Sequence, residues 1–336
     1  VTVAVTGSSG FIGGHLARRL AGLGARVVGI DRRDPGPGAP WGHLRCDVTV
    51  PAARPLLQQV FSEADVVFHL AARAGVRDPD PGAAEGRRRD NVLATLAVAA
   101  ATPARVPLVV TSSSSVYGGS APGRGPHGAV RPSREGDPLR PRGSYARTKV
   151  LVERTCALRA ARGGLVAVAR PFTVVGERQR PDMALARWIA ALRRAEPVTV
   201  LGSPGRSRDL TDVGLVVRAL LALAEHLPAG PMNVGTGRPV TLGAAVRAVG
   251  EALGVVPEIR VTAAPAADPP HTRAHVGRLR GLLGRVPPTD LREVVARLVA
   301  EGTTRPARPA GARAASRAVD LHSGAASANM VLHSPC

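Results

Sequence analysis

The chain opens on an order of elements that narrows its choice of folds more than anything else in it. Val1–Val5 alternates around β-branched residues and runs into Thr6-Gly7-Ser8-Ser9-Gly10-Phe11-Ile12-Gly13. An amphipathic stretch, His15–Leu23, follows; Gly24 stops it, and a second apolar run, Arg26–Ile30, closes on Asp31. Strand, glycine turn, helix, strand and acid in that order form the opening βαβ unit of a dinucleotide-binding fold. Gly7, Gly10 and Gly13 stand at Gly-x-x-Gly-x-x-Gly spacing. The first two let the backbone turn tightly and approach a pyrophosphate, and Gly13 lets helix and strand pack closely. Phe11 and Ile12 complete the turn, where free N–H groups and the positive helix end meet the anion.

Asp31 stands where a carboxylate accepts hydrogen bonds from the adenosine ribose hydroxyls. It would repel a 2′-phosphate, which favours NAD over NADP, although Arg32 and Arg33 beside it offer a phosphate a partner. Asp47-Val48 follows another short strand and either reaches the adenine or caps the next turn.

Further apolar runs at Val66–Leu70, Leu108–Ser112 and Leu165–Ala169 alternate with helical stretches. The fold class expected is α/β: a doubly wound parallel sheet of Rossmann type with a smaller C-terminal substrate lobe. Residues 1–170 would bind the dinucleotide, and 213–236 would return to that domain. Residues 171–212 and 237–302 would form the lobe, with helices at Met183–Arg194, Val213–His226, Leu242–Leu253 and Leu291–Ala300. Gly118–Arg142 reads as a long loop near the active centre. Residues 303–336, rich in Ala, Arg, Ser and Pro, read as a disordered tail.

Composition excludes several classes. An apolar share of 44% over 336 residues makes the chain globular. The longest membrane candidate, Leu215–Ala224, falls short of the roughly 18–20 residues a span needs and carries Arg218. Cys46, Cys156 and Cys336 are scattered and odd in number, which argues against a disulfide framework or a metal cluster and fits a reducing cytoplasm. The net charge of +20 raises the question of nucleic acid. The arginines are spread along the whole chain, however, and aromatic residues for base stacking are nearly absent. No specific nucleic-acid partner is expected.

That bias makes the rare residues informative. Lys149 is the single lysine, and Tyr117 and Tyr145 are the only tyrosines. Tyr145 and Lys149, four apart, share a helix face. A tyrosine near pKa 10 is a poor base at neutral pH. An ammonium beside it and the positive ring of an oxidised nicotinamide favour the phenolate, which then takes a hydroxyl proton while hydride leaves the same carbon. The blander reading is a solvated turn in which Lys149 pairs with Glu153. Thr111-Ser112-Ser113-Ser114-Ser115-Val116-Tyr117-Gly118 places hydroxyls at a strand end, where one can hold the reacting oxygen.

Thr6–Gly13, His69-Leu70-Ala71-Ala72, Asn91-Val92, Ser112–Gly118, Tyr145–Lys149, Arg170–Gly176 and Asn233-Val234-Gly235 recur in an order that resembles the extended short-chain dehydrogenase/reductases. In particular it is similar to the NAD-dependent nucleotide-sugar epimerase/dehydratase family. The resemblance implies NAD as cofactor, with Leu70, Ala71 and Ala72 against it, and Ser113 as the catalytic hydroxyl. Dehydratases of this kind carry Asp-Glu after that hydroxyl, and decarboxylases a glutamate two before the tyrosine of Val-Tyr-Gly. Here Ser114 and Ser115 stand there, which is similar to 4-epimerases of UDP-glucuronate or UDP-glucose. By the same resemblance Thr173, Ser114 and Ser115 face the substrate, Arg180 before Pro181-Asp182-Met183 meets a C6 carboxylate, Arg208 binds the diphosphate, and Arg77 lies in a substrate loop. The family also implies a homodimer.

The chain departs from the family pattern at Arg87, in place of a tyrosine, and at Asp212-Val213-Gly214 and His275. These positions bear on substrate packing. A one-way sugar ketoreductase and a non-catalytic dinucleotide-binding protein are the alternatives.

Overall fold

Val3, Ala4 and Val5 are almost wholly buried in β1 (Thr2–Thr6), with Val3 and Val5 facing one apolar cluster and Ala4 another. Burial on both faces is what a central strand of a parallel sheet requires. The computed structural model describes residues 1–75, 82–121 and 130–304, with side chains as far as residue 301. β1 is followed by α1 (Phe11–Gly22), β2 (Arg26–Asp31), β3 (Gly42–Arg45), α2 (Arg54–Ser62) and β4 (Val66–His69). Next come α3 (Ala83–Arg87), a π-helical stretch Arg88–Leu93, α4 (Ala94–Ala101), β5 (Leu108–Thr111) and α5 (Gly143–Ala161). β6 (Val166–Pro171), β7 (Thr173–Val175), α6 (Ala184–Arg193), β8 (Val198–Leu201), β9 (Ser207–Arg208), β10 (Leu210–Asp212) and α7 (Val213–His226) lead to β11 (Pro231–Val234). The described chain ends with β12 (Val240–Thr241), α8 (Leu242–Leu253), β13 (Ile259–Thr262), α9 (Gly277–Leu283) and α10 (Leu291–Thr304).

Seven strands form one sheet in the order β11-β6-β5-β4-β1-β2-β3, every pair parallel. The order reverses beside β1, and ligands of open α/β sheets bind at that switch point, outside the carboxyl ends of the strands. One face is packed by α1 and α7 through Leu16, Leu20, Val216 and Leu220. The other holds Leu57 and Phe61 of α2, Val98 of α4 and Val152 and Cys156 of α5. A separate core joins α6, α8, α10 and β8 through Trp188, Ile189, Val246, Val249, Val294 and Val295.

Two boundaries differ from the expectation. α1 begins at Phe11, four residues ahead of the amphipathic stretch, because the glycine turn delivers the chain straight into the helix. α10 runs on through the expected boundary at 303 to Thr304, and residues 305–336 lie outside those described. The described parts of Gly118–Arg142 are pinned to the lobe: Ser120 N donates to the His271 carbonyl at 2.9 Å, and Ser133 N to that of Arg273 at 2.8 Å.

Candidate active site

The glycine turn is built as the spacing requires. Gly7 has φ +76°, and a Cβ there would stand 2.6 Å from Ala71 N. A Cβ on Gly13 would meet the Gly7 carbonyl oxygen at 2.1 Å, so close packing of α1 on β1 depends on its absence. Leu70, Ala71 and Ala72 follow β4 and run beside this turn, with Ala71 N donating to Thr6 Oγ1 at 3.3 Å. Phe11 and Ile12, partly buried, form the first turn of α1. The bare backbone at the N-terminus of α1, on the carboxyl side of the sheet, fits a pyrophosphate.

Asp31 stands at the end of β2, and its two oxygens accept the backbone N–H groups of Ser9 at 3.1 Å and Arg33 at 3.0 Å. Asp47 caps locally, taking Thr49 N at 2.9 Å and Thr49 Oγ1 at 2.7 Å. Burial pushes its carboxyl up, but these bonds and the Arg32 and Arg89 guanidiniums outweigh it and hold the group below the usual carboxylate range. Val48 is buried beneath.

The first turn of α5 brings Tyr145 over the end of β5, where the Ser113 hydroxyl comes close enough to its phenol to favour the phenolate. Burial raises the Tyr145 pKa; Ser113 and the cations Arg180 and Arg87 pull against it. Lys149 lies one turn along, buried, with Nζ 6.0 Å from the Tyr145 ring centroid and donating to the Thr111 carbonyl at 2.8 Å. Burial lowers its pKa to about 8, against the pull of Cys156 and Glu153.

Glu153 does not pair with Lys149 in the way the blander reading supposed. It takes a bidentate contact from Arg170, at 2.8 and 2.6 Å, and accepts Ser112 Oγ at 2.5 Å. Arg170 also donates to Tyr117 Oη at 2.7 Å, and Tyr117 donates to Asn233 Oδ1 at 2.7 Å. This buried chain ties β5, α5, β6 and β11 together directly behind the Tyr145–Lys149 face. Its carboxylate and guanidinium were not singled out among the site residues, because a polar network spanning four elements leaves no local spacing.

A cleft in front of Tyr145 is lined by Ser113, Ser114, Ser115, Thr173, Arg208 and Arg142, among others. Arg208 is buried, with donors on the carbonyls of Ser207 and Pro270 and on Asp268 Oδ1 at 2.9 Å. Arg180, close enough to Tyr145 to affect it, pairs with Asp182 at 2.8 Å and is half-exposed. Arg77 lies outside the described residues. Arg87, met in the sequence only as a departure, is buried and donates to Ser144 Oγ at 2.7 Å, next to Tyr145. Of the other departures, Asp212 caps α7 by accepting Gly214 N at 2.6 Å and takes Arg297 from α10, while His275 N donates to the Ser133 carbonyl.

A parallel sheet entered through a glycine turn, with Tyr-x-x-x-Lys on its fifth helix and a serine at the end of the fifth strand, defines the extended short-chain dehydrogenase/reductases. The chain belongs to the NAD dependent epimerase/dehydratase family, whose model matches residues 3–235. It is 28% identical over 341 residues to the probable UDP-glucuronate 4-epimerase of Rhizobium meliloti (strain 1021), covering 88% of this chain and 95% of that one. It is also 28% identical over 316 residues to UDP-glucuronic acid decarboxylase 1 of Arabidopsis thaliana, covering 90% of this chain and 70% of the relative. The solved structure of MoeE5 in complex with UDP-glucuronic acid and NAD is 36% identical, with a TM-score of 0.80 over 90% of this chain and 99% of that chain.

Proposed function

We propose that this chain is an NAD-dependent nucleotide-sugar 4-epimerase acting on UDP-glucuronate or UDP-glucose through a transient 4-keto sugar. Overall identity does not choose between epimerase and decarboxylase, since both kinds of relative stand at 28%. The observation that carries the choice is local: Ser113, Ser114 and Ser115 line the cleft beside Tyr145, with no carboxylate where dehydratases and decarboxylases keep theirs.

Gly7, Gly10, Phe11, Ile12, Gly13, Asp31, Asp47, Val48 and Leu70–Ala72 would hold NAD, which when bound would supply hydride acceptance and return at C4. Tyr145 as phenolate accepts the 4-OH proton, and Ser113 holds the reacting oxygen through its hydroxyl. Lys149, anchored on Thr111, supplies positive charge behind the phenol. Arg208 holds the diphosphate, so that the keto sugar turns about a fixed point and presents its other face. Arg180 can exchange Asp182 for a C6 carboxylate, a bidentate match. Thr173, Ser114 and Ser115 line the sugar's path, and Arg77 belongs by resemblance to a substrate-proximal loop.

Residues 171–212 and 237–302 are assigned here to the substrate lobe, and 1–170 with 213–236 to the dinucleotide domain. Leu93, Leu96, Leu151 and Leu158, exposed on and beside α4 and α5, support a homodimer through this helix pair. No helix among the described residues is long and apolar enough to cross a membrane, and we place the enzyme in the cytoplasm. The test is direct. Purified protein incubated with UDP-glucuronate, UDP-glucose or UDP-N-acetylglucosamine, with no reductant added, should yield the C4 epimer of at least one. A protein that acts only by consuming added NADH or NADPH is a ketoreductase, and one that converts none overturns the proposal.

A further inference from the structure

Arg142 stands at the entry to α5, and by local rules it is poorly suited to that place. Its backbone is extended, at φ −106° and ψ 128°, and its side chain makes no capping bond to the helix. Serine, threonine, aspartate and asparagine are the side chains that cap a helix start. A cation there also meets the positive end of the macrodipole of a 19-residue helix, which is unfavourable. No contact among the described residues offsets this: the Arg142 guanidinium has no hydrogen bond and no ion pair, and the residue is exposed. Only its stem is placed, since a Cβ on Gly118 would lie 3.4 Å from Arg142 Cγ. A residue that breaks local rules with no structural return points to a task elsewhere. The side chain lines the cleft in front of Tyr145, together with Arg208, Asp268 and Pro269. Gly143, at φ +77°, turns the chain into α5 so close to the lobe that a Cβ on it would lie 3.3 Å from Ala267 Cβ, beside Asp268.

We propose that Arg142 is a second diphosphate-binding residue, which takes the phosphates of a nucleotide sugar jointly with Arg208. The assignment rests on reading the cleft as a nucleotide-sugar site. Charge supports it. Asp268 pairs with Arg208 at 2.9 Å through one oxygen and with Arg206 at 3.2 Å through the other, so one carboxylate offsets one of two guanidiniums. His271 beside them is lowered by burial and by both arginines, and stays neutral at neutral pH. The lobe side of the cleft is left with a single positive charge, whereas a sugar diphosphate carries one negative charge on each phosphate. Arg142 brings the second positive charge from α5. Arg208 is fixed by the Ser207 and Pro270 carbonyls and Asp268, while Arg142, unheld, is able to turn its fork onto the phosphate oxygens. A C6 carboxylate would stand next to the reacting C4, but the diphosphate hangs from C1 across the ring. The guanidiniums felt by the Tyr145 phenol are those of Arg180 and Arg87, which leaves Arg142 to the diphosphate.

Binding and melting together test this. UDP, UDP-glucose and UDP-glucuronate are titrated calorimetrically into wild type, Arg142→Ser and Arg142→Lys as purified, and the same proteins are melted without added ligand. Arg142→Ser should weaken all three nucleotides alike, by about tenfold, the scale of one charged contact. Arg142→Lys should recover part of that loss, since it restores the charge but not the fork. Added salt should weaken UDP more in wild type than in Arg142→Ser, which has one charged contact fewer to screen. Serine caps a helix start where arginine does not, so Arg142→Ser should melt no lower than wild type. Equal UDP affinities in wild type and Arg142→Ser, a loss confined to UDP-glucuronate, or a clear fall in Tm would each overturn the proposal and leave the nucleotide-sugar reading in place. A wild type that binds none of the three nucleotides overturns both.

Discussion

Tyr145 sits between opposing influences, and their balance sets the pH at which it can act. Burial raises the phenol, while the Ser113 hydroxyl and the Arg180 and Arg87 guanidiniums lower it. As the proposed base, Tyr145 would react as the phenolate, which is present above the pKa, and losing a cation moves that pKa up. Arg87→Gln should therefore shift the acid limb of the kcat/KM profile to higher pH by about half a pH unit or more. A superimposable profile would show that Arg87 does not reach the phenol. Tyr145→Phe should cost about 10²–10⁴-fold in turnover while leaving dinucleotide binding in place, which titration with NADH checks. At this scale the sequence was most informative where composition was leanest. One lysine four residues after one of two tyrosines marks the pair at once, whereas 44 other basic residues hide which guanidiniums turn inward. Arg87 faces the site only because α3 packs on α5, a relation no local spacing encodes. The expectation for Lys149 also needed the fold, since its anchor is a backbone carbonyl at the end of β5.

Between elements, two buried polar groups do more than hydrophobic patterning could predict. His69 of β4 bridges Thr6 of β1 at 2.8 Å and Thr95 of α4 at 3.0 Å. Thr95 Oγ1 donates to the Asn91 carbonyl, so it accepts from Nε2, and Nδ1 accepts from Thr6. This arrangement needs a neutral ring, and burial, aided by the Lys149 charge, lowers the His69 pKa to about 3. The unfolded chain protonates this group below about 6.5 and the folded one does not, so stability is lost as pH falls through that window. Wild type should lose roughly 2–3 kcal/mol more than His69→Gln between pH 7 and 4.5, read by urea unfolding. Glu153→Ala should cost about 3–5 kcal/mol at neutral pH, because it strands the buried Arg170 guanidinium; a loss below 1 kcal/mol would count against that ion pair. The parallel strands were legible from their apolar runs, as doubly buried strands must be. The π-helical stretch and the polar chain were not, since each depends on partners contributed by other elements.

At the scale of the whole molecule, the four leucines left exposed on and beside α4 and α5 concentrate apolar surface on one helix pair. If the proposed dimer forms through this pair, Leu96→Glu with Leu158→Glu should convert it to a monomer in light scattering. The overall fold was readable almost entirely from the opening glycine turn and the strand alternation after it. The lobe was less so, because β7, β9, β10 and β12 are two- or three-residue pieces with no periodicity to detect. The scarcity of tyrosine has one more consequence. Of the two, Tyr117 is pushed by its burial to about 12, and Arg170 holds its oxygen. Burial raises Tyr145 as well. Phenolate absorbance in the near-ultraviolet has only two sources in this chain, and Tyr117→Phe leaves Tyr145 as the single one. The molecule carries a built-in optical reporter of its own proposed base, one that can be followed as dinucleotide or sugar is added without labelling a single residue.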